Sequence, residues 1–414
     1  MLSAEPKNIN VPPLPALILL LAFMTLLNSF CTDMLIPALP AMSRDLGISG
    51  WQVQQSLSLF FVACAFASLW YGAIADAWGR RRTLLVALSL LGLAAAASIF
   101  VTRIEQLWGL RLLQGLAAGA GLVISRSILH DLHHGPDAQH LLSWITLIQT
   151  SSLLVTPSLG AWLCAHYGWR MVFAALTAIV LTLTAVYWRW LPETLPRDRR
   201  LSLSPAALGR AYLKVLQTPR FVRLSLAHVA NWTSMAVYIV SAPAIVVGLL
   251  GRSGTDIYLV YVPITLGLVA GFMLFPRLLR RWQASRTLAT AYFILGTSAG
   301  LNLAAAWAWP AGMIHLAPLF TYSFGLAIAL PILVSGALEP LRQSTGVAAS
   351  CQTFMQYAMT AVAAGLLAPL LWDSLFSLAL GIGGLTLVGG LAVLLERQAN
   401  RRPPPEPMHC SEAA

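Results

Sequence analysis

Apolar runs follow one another along this chain, each about as long as the roughly 20 residues a helix needs to cross a bilayer. Twelve are read, near 14–38, 52–75, 83–101, 106–128, 141–166 and 170–191, then 222–249, 255–276, 287–308, 312–337, 345–371 and 375–395. They are too long and continuous for strands. Lipid offers the backbone no hydrogen bonds, so each run is expected to be helical. Composition agrees: 58% of residues are hydrophobic and only 10% charged, against about 25% charged in a soluble domain. What lies between the runs is too short for an aqueous catalytic domain. The expected fold class is an all-α membrane protein, twelve transmembrane helices in two six-helix bundles, with both termini cytoplasmic.

Charge sets that orientation. Lys7, Arg80, Arg81, Arg82, the basic residues from Arg197 to Arg223, Arg277, Arg280, Arg281, Arg286, Arg342 and Arg397 fall on the side of the termini. The opposite loops hold Arg44, Arg103, Arg170 and Arg252. Basic loops stay cytoplasmic, so the net charge of +11 reads as membrane topology, and no nucleic-acid partner is expected. The expected organisation is a cytoplasmic tail at 1–13, a bundle at 14–194, a cytoplasmic linker at 195–220, a second bundle at 221–396 and a cytoplasmic tail at 397–414. Basic clusters at 79–82 and 277–286 occupy matching places in the two halves, as in a transporter built from two repeats. Cys31, Cys64, Cys164 and Cys351 lie in apolar stretches, and no CxxC spacing joins them to Cys410. Neither a disulfide framework nor a metal site is expected. The loop with His130, His133, His134 and His140 reads as solvated. The first run lacks a signal-peptide cleavage pattern and is expected to be retained.

The second run closes on Gly72-Ala-Ile-Ala-Asp76-Ala-Trp-Gly79-Arg80-Arg81-Arg82. Gly79 permits a tight turn between antiparallel helices. Asp76 stands at a helix C-terminus, where the macrodipole disfavours an anion, so it needs a cationic partner or the N-terminus of another helix. This run resembles the loop between helices 2 and 3 of the major facilitator superfamily. Thr32-Asp33-Met34-Leu35-Ile36-Pro37-Ala38-Leu39-Pro40 resembles the end of helix 1 in the Bcr/CflA branch of drug:proton antiporters. Arg111-Leu112-Leu113-Gln114-Gly115 is similar to that family's helix-4 motif. Gly168-Trp169-Arg170 and Leu191-Pro192-Glu193-Thr194 match the landmarks flanking helix 6. Two departures stand out. The helix-5 motif reads Thr156-Pro157-Ser158-Leu159-Gly160-Ala161, keeping the Pro157 kink and Gly160 but lacking two glycines, which weakens the inference of export over import. Ala77 replaces the usual basic residue.

The resemblance implies a proton-coupled secondary transporter, an antiporter exporting drugs or other small amphipathic compounds by alternating access. It places the chain in a bacterial cell inner membrane as a monomer whose partners are lipid, protons and a small-molecule substrate. No cofactor is expected. The pattern GxxxxGK[ST] is absent, so an ion gradient rather than ATP is the expected energy source. Intramembrane ionisable residues mark ion pathways: Asp33 is expected to carry the proton, with Arg111 bordering the cavity and answering to its charge. Gly72, Asp76, Gly79, Arg80, Arg81, Arg126 and Asp131 form the expected conformational gate. Phe60, Phe61, Trp144, Trp232, Tyr238, Tyr322, Gln352, Phe354 and Gln356 are read as a substrate cavity of apolar character with few polar groups. Two other readings stay open. One is a carrier of a natural metabolite such as a nucleoside or sugar, in either direction. The other, a membrane-embedded lipid enzyme, lacks HExxH or a Ser/His/Asp arrangement, so no enzyme is expected.

Overall fold

The computed structural model describes residues 13–133, 135–196, 200, 204–309 and 312–401. The described chain is helical throughout, without strands. Its first half comprises α1 (Leu14–Thr32), α2 (Leu39–Leu46), α3 (Gly50–Trp78), α4 (Arg80–Ser98), α5 (Ile104–Leu132), α6 (Gly135–Tyr167) and α7 (Arg170–Trp190). A short helix, α8 (Pro205–Leu216), connects it to α9 (Pro219–Val240), α10 (Tyr258–Arg281), α11 (Ala284–Ala308), α12 (Ala317–Leu338), α13 (Thr345–Val362), α14 (Ala368–Leu371) and α15 (Leu375–Arg401). The expected tails at 1–12 and 402–414, and linker residues 197–199 and 201–203, lie outside the described residues, as does His134.

Eleven helical stretches among the described residues are long and apolar enough to cross a membrane. The exception among the twelve expected runs is the seventh, which contains α9. That helix carries His228, Asn231, Thr233 and Ser234 in its middle, all buried. Protein contacts rather than lipid receive those side chains, so α9 lacks the hydropathy of its neighbours.

The first run is not one continuous helix. It ends as an α-helix at Thr32, passes through a 3-10 turn at Ile36–Ala38, and resumes as α2. Pro37 and Pro40 lack the backbone N–H that would continue the ladder, and each biases the residue before it away from helix. The break falls beside Asp33. Within each half the helices pack closely, and the halves meet where α3 lies on α13 and α6 on α10. The end carrying α8 is called here the linker end; the other, with the α3 N-terminus and Arg170, is the far end.

Candidate functional site

Asp33 caps the C-terminus of α1 and is buried, 7% exposed. Its carboxylate accepts a hydrogen bond from the Thr32 hydroxyl at 3.2 Å. Two elements close around it. Tyr261 of α10 stands within electrostatic reach from the second half. From α6, Gly160 lies against the Met34 backbone so closely that a Cβ would collide with the Met34 carbonyl and Cα. Pro157 sits one turn earlier inside the same helix. Gly160, one of the two residues retained from the helix-5 motif, therefore bears directly on the segment holding the acid.

Arg111 is fully buried. It donates to the Cys31 carbonyl at 2.9 Å, the Gln114 side-chain oxygen at 2.6 Å and the Ser56 carbonyl at 3.3 Å. Its guanidinium lies 4.3 Å from the centre of the Phe60 ring, a cation–π contact strengthened by the absence of water. Gln114 passes the network on to Ser98 at 2.9 Å, so Arg111 ties together α1, α3, α4 and α5. The expectation that Arg111 borders a cavity is not met in this conformation. It makes no ion pair with Asp33, and one nitrogen, Nη2, has no partner among the described residues.

At the linker end, the turn between α3 and α4 assembles a network. Arg80, its side chain 9% exposed, pairs with Asp76 and with Asp131 on α5, the latter at 3.2 Å. Thr194 donates to the same Asp131 oxygen at 2.9 Å, and Glu193 accepts from the Arg80 backbone N–H at 2.9 Å. Gly79 adopts φ +101°, a conformation that favours glycine, and a Cβ there would displace the side-chain ends of Glu193 and Arg200. Glu193 and Thr194 of the Leu191–Thr194 landmark thus join this network, a contact that their position after the sixth run did not reveal.

Gly72, Asp76, Gly79, Arg80 and Asp131 are accordingly brought together or lie on the same helix end. Two expected members are not. Arg81 turns aside to the Trp188 carbonyl, because successive residues on a helix face different ways. Arg126, five residues before Asp131, makes no ion pair among the described residues and lines a cavity instead.

Two large cavities flank the buried centre. One of about 800 Å³ opens at the linker end between α3, α5, α8 and α13; the other, about 750 Å³, opens at the far end between α2, α6 and the segment after α9. The nine residues read as a substrate cavity line neither. Phe60 packs edge-on against Phe61, and Phe61 stacks on Tyr357 at 6.2 Å. Tyr238 accepts from Asn302, Tyr322 donates to the Asn231 carbonyl, Gln352 donates to Ser225, and Gln356 meets His228 at 3.2 Å. Trp232 is half-buried against the core, Trp144 lies exposed on the bundle's outside, and Phe354 lines a smaller lateral groove. In this conformation their polar atoms serve packing between helices.

The halves are fastened at the far end by hydrogen bonds from α3. Gln55 donates to the Gly365 carbonyl at 2.8 Å, Ser58 to the Ala361 carbonyl at 3.0 Å and Gln54 to the Val240 carbonyl at 3.4 Å. The first two acceptors flank or occupy a π-helical turn at Ala363–Leu367. Such a turn shifts the helical ladder, which leaves carbonyls open to an outside donor.

This arrangement, two helical sets around a closed centre with a cavity at each end, defines a membrane transport fold. A model of the Major Facilitator Superfamily matches residues 21–364, and the chain belongs to that superfamily, whose members are transporters rather than enzymes. A chloramphenicol resistance protein of Pseudomonas aeruginosa is 28% identical over 335 residues, 79% of this chain and 77% of that one. Multidrug resistance protein D of Escherichia coli (strain K12) is 26% identical over 400 residues, 94% of this chain and 95% of that one. These relatives agree with the Bcr/CflA resemblance. Among solved structures, the human organic anion transporter MFSD10 (TETRAN) superposes with a TM-score of 0.67 at 17% identity, covering 93% of this chain and 99% of that one. A D-xylose-proton symporter gives 0.69 at 14% identity, covering 91% and 96%. At such identities these two speak for the fold alone.

Proposed function

We propose that the protein is a proton-coupled antiporter that exports small amphipathic, drug-like compounds across a bacterial inner membrane by alternating access. In this reading α9 is the remaining crossing, giving twelve, and both termini face the cytoplasm, so the linker end is the inner end. The drug-resistance relatives support the substrate class and the direction.

The observation that carries the mechanism is the placement of Asp33. It is buried at the break in α1, between elements of both halves, with no cation paired to it among the described residues. Burial without a counter-ion favours the neutral form of a carboxyl, while an approaching guanidinium favours the ionised form. Arg111 is held away by carbonyls of α1 and α3 but keeps one free donor. In this reading, rocking of the first half against α10 and α13 displaces the interrupted end of α1, and Asp33 with it, relative to Arg111 on α5. Proton uptake at Asp33 is thereby linked to which end is open. Protonation from the outside, reorientation, and release on substrate binding from the inside complete the cycle. The Asp76–Arg80–Asp131 network holds the inner end of the first half in one arrangement.

The test uses the full chain in proteoliposomes with an imposed proton gradient and an internal pH dye. Chloramphenicol, nucleosides and sugars are added in turn. Drug-evoked proton movement that disappears in Asp33→Asn supports the reading. A response to nucleoside or sugar alone favours the metabolite-carrier alternative. Undiminished drug-evoked movement in Asp33→Asn refutes the role given to Asp33.

A further inference from the structure

The linker-end cavity contains a cation that the gate does not use. Its volume of about 800 Å³ falls in the range that holds a drug-sized molecule. Four charged residues line it: Asp76, Arg80, Asp131 and Arg126. The first three satisfy one another, Arg80 being shared by the two carboxylates. Arg126 alone among these has no ion pair with any described residue, and its side chain is exposed to the cavity rather than folded into a helix interface. An arginine does not shed its charge, and one in a membrane helix faces water or a partner.

The surroundings of Arg126 suit a ligand rather than a structural counter-ion. Thr353 and Ser350 of α13 line the same cavity from the opposite half. Tyr357, one turn beyond Thr353, lies within electrostatic reach of Arg126 but is buried behind the lining, its ring stacked on Phe61. A planar guanidinium fork beside hydroxyls matches a carboxylate or sulfonate. Both carboxylates that line the cavity are engaged by Arg80, so Arg126 is the lining charge left for a ligand to meet.

We propose that Arg126 is the anchoring residue of the inward cavity, which selects amphipathic organic anions over organic cations. This rests on the export reading given above. Because Arg126 comes from the first half and Ser350 and Thr353 from the second, a ligand bound there touches both moving parts.

The experiment measures fluorescence anisotropy of two probes with the purified full-length protein in nanodiscs. Fluorescein is the anion, and rhodamine methyl ester is a cation on the same ring skeleton. The wild type is expected to bind fluorescein more tightly. Arg126→Gln is expected to weaken fluorescein at least about tenfold, the scale of one charge-assisted hydrogen bond, while leaving the cation unchanged or tighter. Arg126→Lys, which keeps the charge, is expected to retain most of the anion binding. The wild-type preference alone tests the idea should Arg126→Gln fail to fold. A wild type that prefers the cation, that binds neither probe, or an anion affinity untouched in folded Arg126→Gln overturns the proposal. Drug-evoked proton movement measured in parallel separates the two readings: intact export with a cation preference sinks only the role of Arg126.

Discussion

In the first half of the molecule, three buried polar groups are ionisable or charged: Asp33 at the break in α1, Arg111 beneath α1 and α3, and Arg80 between two carboxylates. In the second half, the interior of α9, α11, α12 and α15 is held by Asn231, Tyr292, Asn302, Tyr238, Tyr322 and Thr386, linked through hydroxyl and amide groups. His228, bonded to Gln356, is the titratable member of that set. The second half's ion pairs lie at the linker end, where Glu396 pairs with Arg223 at 2.7 Å and Glu339 with Arg220 at 2.6 Å. A buried charge is costly unless it is paired or changes its state, and a neutral hydrogen-bonded network is not. Under the proposed function, the difference concentrates energy conversion in the first half, with the neutral interior of the second as the partner against which it moves.

The largest effect that could break this contrast is on coupling. Asp33→Asn is expected to remove proton-driven export while His228→Gln leaves it within about threefold, less than 1 kcal/mol, both read as substrate accumulation against a gradient. Coupling lost in His228→Gln would put the two halves on an equal footing. Next comes stability. Asp131→Asn weakens a part-buried network in which Arg80 keeps Asp76, and loss of a hydrogen bond to a charged group costs about 1.5–3 kcal/mol. Thermal unfolding is expected to fall below that of Asn231→Ala, which removes a neutral bond to Tyr292 worth about 1 kcal/mol. Equal melting temperatures would erase the distinction. Gly160→Ala is expected to lie between them, since overpacking typically costs about 1–3 kcal/mol, and it displaces the Met34 backbone next to Asp33. The smallest effect concerns the far-end contact. Cys164 lines the far-end cavity, so Gln55→Leu, by cutting the bond to Gly365, is expected to raise the rate of Cys164 labelling by a membrane-impermeant maleimide. An unchanged rate would show that the α3 hydrogen bonds do not hold that end closed.

Much of this arrangement was legible in the chain. The apolar runs located the helices, since length and hydropathy suffice for that. Asp33, Gly79, Arg80 and Asp131 were legible because rare charges and an obligatory glycine leave few options. The cavity lining was not. Helices such as α3, α5 and α12 are apolar on every side, so the sequence does not say which face points inward. Phe60, Tyr238 and Tyr322 were therefore read as lining and proved to be packed between helices. Arg81 was grouped with Arg80 as its neighbour in sequence and Arg126 through the family resemblance, but Arg81 turns to the Trp188 carbonyl and Arg126 shares the cavity without joining the ion pairs. Gln54, Gln55 and Ser58 went unnoticed because their acceptors are backbone carbonyls, two of them at a π-helical turn that hydropathy does not mark.

The most direct test is proton release on substrate binding, measured with the purified protein in weakly buffered detergent solution and a pH indicator. Saturating the wild type with chloramphenicol is predicted to release protons at near-neutral pH, and Asp33→Asn, binding the same drug, is predicted to release none. Equal release from both would contradict the assignment of Asp33 as the group that links the gradient to transport.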